Sequence, residues 1–144
     1  MIYRFTQKIP FFRKYLPERR DFLLNQMPKD SICAEIGVWK GNFSNRILHL
    51  VSPKELHLID PWKFQSEYPF TWFGGVKVKN QYDMDKIYNQ LVKKFSHYQN
   101  VFFHRDFSHK AVNDFKDNYF DWIYIDGNHF YDYVKQDLEF YLQK

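Results

Sequence analysis

The sequence predicts an α/β fold in which a parallel sheet of about four strands carries helices on both faces. Short apolar runs alternate with stretches of helical periodicity in the order α-β-α-β-α-β-α-β-α. Neighbouring parallel strands need crossover connections of about a dozen residues or more, and the predicted helices supply them. A chain of 144 residues has room for one such domain around a single core.

The composition excludes several classes of protein. Lys and Arg number 21 and Asp and Glu 17, so the net charge of +4 does not require a nucleic acid partner. The apolar runs are far shorter than the roughly 20 residues of a membrane span, and no stretch suits a signal peptide. The one cysteine, Cys33, cannot form an intrachain disulfide. We therefore expect a cytoplasmic protein that binds neither nucleic acid nor membranes.

Residues 1–30 predict a helical cover that precedes an α/β domain over residues 31–144. Pro17 and Glu18 are typical of a first helical turn, and Pro28 ends the helix. The segment also contains four basic residues, Arg13, Lys14, Arg19 and Arg20. Their alternation with aromatic residues favours a solvated face of an amphipathic segment.

The first half of the domain reads as strand, helix, strand and long loop. The apolar run over 31–36 predicts a strand buried on both faces, and a helix follows Gly41. A second strand over 55–59 ends before Pro61. The loop of about 20 residues that follows contains Trp62, Phe64, Tyr68, Phe70, Trp72 and Phe73. Such long loops are usually functional or disordered, and so many aromatic rings favour an ordered loop. The rings could pack in the core or line an acceptor pocket, and the sequence does not decide between these roles.

The second half continues the alternation. A helix capped by Asp83 runs to Phe95, strands cover 101–104 and 120–125, and a short helix over 108–115 lies between these strands. The last helix begins at about His129 and carries one apolar face, formed by Phe130, Val134, Leu138 and Tyr141.

The candidate site lies beyond the carboxyl ends of the strands, where open α/β sheets bind ligands. Each predicted strand end carries an acid: Glu35, Asp60, Asp106 and Asp126. A glycine turn followed some 20 residues later by an acid is the general nucleotide pattern, in which the acid binds the ribose. Trp39 and Asn42, however, stand where a dinucleotide turn needs glycine. These residues favour a ligand with a ribose and no phosphates over NAD.

Three segments resemble the class I S-adenosylmethionine-dependent methyltransferases. AEIGVWKGNFS resembles their E-x-G-x-x-x-G motif, and LHLIDPW resembles the motif that carries the ribose acid. FDWIYIDGNHFYDYVKQDLEFY resembles an I-D-G-x-H-x-Y subgroup of small-molecule methyltransferases, some of them metal-dependent O-methyltransferases. The resemblance runs from about Pro28 to Tyr141. It implies a Rossmann-like fold of seven strands, so the strands after the fourth are expected to be missing here.

The resemblance also implies roles for individual residues. Glu35, Gly37 and Gly41 would shape the pocket for the methionine part of the cofactor, and Asp60 would hold the ribose. The adenine would be bordered by Asp106, Phe107 and Ser108.

The fourth strand end would carry the chemistry. Asp126 matches a ligand of a divalent cation such as Mg²⁺ in metal-using relatives, and His129 would act as the base or orient it. The other metal ligands of those relatives follow a fifth strand and have no counterpart here. Asp126 as a turn former and His129 as an ordinary helix residue remain alternatives.

The implied function is methyl transfer to a hydroxyl of a small molecule or sugar. The alternative is a non-catalytic, cofactor-binding remnant or partner subunit. The expected open edge of strand four would then recruit a second copy or a complementing chain.

Overall fold

The computed structural model describes residues 19–144 and contains one sheet of four parallel strands in the order β3-β2-β1-β4. The strands are β1 (Ile32–Ile36), β2 (Glu55–Ile59), β3 (Val101–His104) and β4 (Trp122–Ile125). The chain runs outwards from β1 to β3 and then returns to the other side of β1. The order therefore reverses between β1 and β4, which is where such sheets bind ligands.

The helices are α1 (Arg19–Gln26), α2 (Asn42–Val51), α3 (Gln81–Phe95), α4 (Ser108–Ala111) and α5 (Tyr131–Tyr141). A 3-10 turn (Val112–Asp114) extends α4, and one π-helical turn (Trp72–Val76) interrupts the loop after β2. Nothing in residues 19–144 forms a helix both long and apolar enough to cross a membrane.

The core has two parts because the strands alternate their side chains between the two faces of the sheet. Cys33 and Leu58 pack with α1, α2 and α3 on one face. Ala34 and Ile36 pack with α4 and α5 on the other. Helices on both faces confirm the predicted Rossmann-like α/β fold.

The N-terminal predictions are covered only in part. The helix start at Pro17 and Glu18, and the basic residues Arg13 and Lys14, lie outside the described residues. The division into a cover over 1–30 and a domain over 31–144 stays a prediction.

The predicted cap of α3 is wrong. The helix begins three residues earlier than a cap at Asp83 implies, and the side chain of Asn80 accepts a hydrogen bond of 3.1 Å from the amide of Asp83. Asp83 lies in the first turn and accepts from the amide of Lys79 at 2.7 Å. The apolar pattern starts inside the first turn of the helix, so periodicity placed its beginning too late.

The predicted face of α5 is also wrong in part. The helix begins at Tyr131 and not at His129, and its buried residues are Asp137 and Tyr141. Leu138, which was expected to face the core, is 55% exposed. The buried face contains a carboxylate, and hydrophobic periodicity does not detect a buried acid.

β4 forms one edge of the sheet within residues 19–144. It pairs with β1 on one side, and each of its four side chains is half-buried. The predicted position of strand four, beside strand one and at an edge, agrees with this order.

Candidate functional site

The turns that follow β1 and β4 touch each other at the reversal point. Gly37 has a φ of +88°, and an added Cβ would lie 2.4 Å from the carbonyl oxygen of Asp126 and from the Cα of Gly127. No larger residue fits there without moving the backbone. The Asp126 amide also donates to the Ile36 carbonyl at 2.8 Å. Because residue 37 is a glycine, the turn after β1 can pack directly against the turn after β4.

Asp60 holds the turn after β1 from the side of β2. Its carboxylate accepts hydrogen bonds from the amides of Val38 at 2.9 Å, Trp39 at 3.0 Å and Trp62 at 2.8 Å. Burial raises the pKa of Asp60, and the three N–H groups act in the opposite direction. A carboxylate offers about four acceptor positions, and the three amides do not fill them all. Asp60 can therefore shape this turn and also accept a hydrogen bond from a ribose.

Gly41 ends the turn and lets α3 approach it. Its φ is +64°, and an added Cβ would lie 2.3 Å from Leu91 Cδ1 and 2.8 Å from Phe95 Cε2. Lys94 donates to the Gly41 carbonyl at 3.0 Å. The second glycine of the motif is therefore required for helix packing beside the site.

Glu35 is a buried acid on β1, directly before the glycine turn. It is 1% exposed, and the hydroxyl of Ser44 on α2 donates to its carboxylate. Burial raises the pKa of Glu35 to about 8, and the nearby carboxylates of Asp126 and Asp60 act in the same direction. Ser44 and the positive charge of Arg20 act against this rise. The site thus contains an acid that is poised to gain or lose a proton near neutral pH.

Asp126 is paired with an arginine from α1. Its Oδ2 lies 3.1 Å from Arg20 Nη1, and its Oδ1 lies 3.6 Å from His129 Nε2. The Arg20 guanidinium carbon lies 4.4 Å from the centroid of the Phe43 ring. The Arg20 side chain is 42% exposed, which agrees with a solvated face, and it also reaches into the site. Arg20 and Asp126 are 106 positions apart in the sequence, so no local sequence pattern predicts their contact.

A shallow groove of about 360 Å³ lies between the ends of β2 and β3. It is lined by Pro61, Trp62, Lys63, Gln81, Arg105, Asp106, Phe107 and Lys110. Lys63 Nζ lies 5.6 Å from the centroid of the Phe107 ring. Two of the three predicted adenine neighbours, Asp106 and Phe107, are therefore found beside the residues that follow Asp60.

The third, Ser108, connects α4 to α5. Its hydroxyl donates to Asp137, and its carbonyl accepts a bond of 2.9 Å from the Tyr141 hydroxyl. Burial raises the pKa of Asp137. The sequence did not predict Asp137, because the inner face of this helix was defined by its apolar residues alone.

The ring-rich loop divides into packed and exposed rings. Trp62 is fully buried, and its indole N–H donates to the Trp39 carbonyl at 2.9 Å. Tyr68 crosses to α5, where its hydroxyl lies 2.7 Å from that of Tyr133 and its ring centroid 5.6 Å from Phe130. Trp72 is 57% exposed. Trp62 is a packing residue of the core. The exposed rings are compatible with the hypothesis that this loop lines an acceptor pocket.

The described residues do not fit the divalent cation that the resemblance implied. Within residues 19–144 no group of three or more His, Cys, Asp or Glu side chains is placed to hold a metal ion. Arg20 also brings a fixed positive charge to Asp126, the expected ligand. A guanidinium in that position opposes a second cation.

Comparison with known families identifies the domain that carries this site. A family model described as a methyltransferase domain matches residues 34–144. The chain belongs to this methyltransferase family. The matched region of the methyltransferase contains the glycine turn, Asp60 and the end of β4. Helix α1, and with it Arg20, precedes the matched region.

Eight chains of solved structures also resemble the methyltransferase. One is a Thermoplasma acidophilum protein, provisionally described as a methyltransferase, with 15% identity and a TM-score of 0.47. The alignment covers 79% of this chain and 40% of that chain. The chain therefore spans less than half the length of that protein. No curated protein matches the sequence significantly.

Proposed function

We propose that this methyltransferase binds S-adenosylmethionine where β1, β2 and β4 end and transfers its methyl group to a hydroxyl of a small molecule or sugar. The proposal rests on one observation: the ends of β1, β2 and β4 contact one another. Gly37 packs on the turn after β4, and Asp60 binds the amides of the same glycine turn from β2. A ligand bound at the reversal point would meet all three ends at once.

The cofactor would lie across the ends of the strands. Its methionine part would face the crevice between β1 and β4, near Glu35 and Gly37. Its ribose would face Asp60, and its adenine would enter the groove beside Asp106 and Phe107. The Phe107 ring offers a stacking surface for a flat base. When bound, S-adenosylmethionine supplies an electrophilic methyl group.

The acceptor would lie above the end of β4. Tyr68, Phe130 and Tyr133 form an aromatic cluster with two hydroxyls, and Phe130 directly follows His129 in the sequence. Such faces suit sugar rings and small aromatic molecules, which bind through apolar contact and a few hydrogen bonds. His129 would accept the proton of the attacking hydroxyl, and Asp126 would orient its ring from 3.6 Å. Positioning the hydroxyl in line with the methyl group would supply most of the rate.

A second candidate is a methyltransferase subunit that binds the cofactor and depends on another chain for activity. The position of β4 at an edge within residues 19–144 favours it. Unpaired strand edges recruit further strands. A second copy of this chain or a complementing chain would then complete the acceptor side of the site.

Calorimetric titration with S-adenosylhomocysteine, the demethylated cofactor, tests cofactor binding. We expect one site, with affinity that is unchanged by EDTA and with no competition from NADH. Asp60→Ala should weaken binding about 10- to 150-fold, since a hydrogen bond to a charged group contributes roughly 1.5 to 3 kcal/mol. Asp117→Ala is the matched control, because that carboxylate is 65% exposed and pairs with Lys144. Failure of the unmodified chain to bind at millimolar ligand would refute the proposal.

Transfer of a labelled methyl group then separates the two candidates. Turnover on hydroxylated small molecules or sugars by the purified chain supports the first, and His129→Ala should abolish it. Cofactor binding without turnover, followed by turnover when a second chain is added, supports the second.

A further inference from the structure

We propose that Arg20 of α1 binds the carboxylate of the cofactor's methionine part, while Asp126 faces its ammonium group. This inference rests on the proposed function and adds a residue that precedes the region matched by the family model. It makes α1 a component of the cofactor site.

The position of Arg20 is set by a packed helix. Leu24 of α1 is fully buried in the core, and Asp21 forms an ion pair with Arg46 on α2. The Arg20 guanidinium lies against the buried Phe43 ring at 4.4 Å and donates to Asp126 from 3.1 Å. A long side chain that is held on two sides loses little further freedom when it binds a ligand.

The charges around the crevice match a zwitterion. Glu35 lies beneath the glycine turn, Asp126 lies at the end of β4, and Arg20 stands beside Asp126. The positive charge of Arg20 also acts on Glu35, so these groups lie within electrostatic reach of one another. S-adenosylmethionine has one amino-acid end, with an ammonium and a carboxylate, and its adenosine end carries neither. The charge pattern therefore favours the orientation in which the amino-acid end enters this crevice.

One guanidinium can serve Asp126 and the ligand together. Arginine carries five N–H donors in a planar fork, and carboxylates often bind this fork through two parallel hydrogen bonds. The contact with Asp126 orients the fork before the ligand arrives. Lysine offers a point charge without this geometry, so Arg20→Lys should recover only part of the affinity that Arg20→Gln loses.

The experiment compares two ligands on the full chain by calorimetry. S-adenosylhomocysteine has the amino-acid end, and 5′-methylthioadenosine has the same adenosine and sulfur without it. Arg20→Gln should weaken S-adenosylhomocysteine binding by about 10- to 150-fold and leave 5′-methylthioadenosine binding within about twofold. Arg46→Gln is the matched control, because Arg46 forms the ion pair that joins α2 to Asp21 of α1.

Each result decides the matter. Selective loss of S-adenosylhomocysteine binding in Arg20→Gln, with near-normal binding in Arg46→Gln, supports the proposal. Equal loss in the two variants, or equal loss of both ligands, means that Arg20 only holds α1 in place and overturns it. Unchanged binding in Arg20→Gln overturns it and leaves the proposed function intact. If the unmodified chain binds neither ligand, the proposed function itself fails.

Discussion

Replacing Glu35 by Gln should make the chain more stable at alkaline pH and leave its stability nearly unchanged at pH 4.5. Burial raises the pKa of Glu35 from its usual 4.5 to about 8. Gln has the shape of the protonated acid and can still accept from Ser44, which donates to Glu35 in the native chain. The substitution therefore removes the cost of ionising a buried carboxyl group.

The sign and the size follow from linkage. Between pH 4.5 and about 8 the folded chain holds the Glu35 proton more tightly than the unfolded chain. The stability contributed by the protonated acid is complete below pH 4.5 and is lost as the pH rises through about 8. At 1.36 kcal/mol for each pH unit, the loss is about 3 kcal/mol at pH 7 and at most about 5 kcal/mol at pH 9.

Urea unfolding of the native chain and of Glu35→Gln at pH 4.5, 7 and 9 measures this difference. Titrating groups that do not interact with Glu35 are common to both chains and cancel in the comparison. We expect the two unfolding free energies to diverge between pH 4.5 and about 8 and to differ by a constant amount above that. Parallel pH profiles would refute the reasoning, since they would mean that Glu35 has the same pKa in the folded and unfolded chains.

Three further predictions concern the glycine turn, the cofactor and the sheet edge. Gly41→Val should lower the free energy of unfolding in urea by about 2 to 5 kcal/mol, because residue 41 has a positive φ and the new side chain would meet Leu91. Gly127→Ala is the control: its Cβ would meet nothing closer than 3.8 Å, so it should lower the free energy of unfolding by less than about 1 kcal/mol. Binding of S-adenosylhomocysteine at pH 7 should release a proton from Glu35, seen as a binding enthalpy that changes with the buffer; no buffer dependence would contradict a protonated Glu35. Light scattering should show self-association through β4 at micromolar concentrations; a monomer throughout that range would argue against pairing.

Much of the fold could be predicted because apolar spacing reports burial. Apart from Glu35, the run over Ile32–Ile36 has small or apolar side chains on both faces, and the structure places it between two helical layers. The α3 stripe of Met84, Ile87, Leu91 and Phe95 is likewise buried as expected. Helix ends were less predictable, since caps such as Asn80 depend on single hydrogen bonds.

The candidate site was predictable only where its residues follow strand ends. Topology brings Gly37 to Asp126, and the parallel order brings Asp106 beside the residues after Asp60. The ion pair between Arg20 and Asp126 depends on how α1 packs, and the pair of Ser108 and Asp137 on how α5 packs. Tertiary packing sets such contacts, and no spacing along the chain encodes them.

The pair of indoles at the glycine turn gives the protein an optical reporter of its own. Trp39 lies within the turn, and its ring centroid is 6.0 Å from that of Trp72 with the planes inclined by 47°. At that separation the two chromophores couple, so the near-ultraviolet circular dichroism depends on their mutual angle. Because the Trp39 amide binds Asp60, a shift of the turn would rotate one indole against the other. A ligand that moves the turn would thus change this spectrum, and no dye, label or known acceptor would be needed to see it.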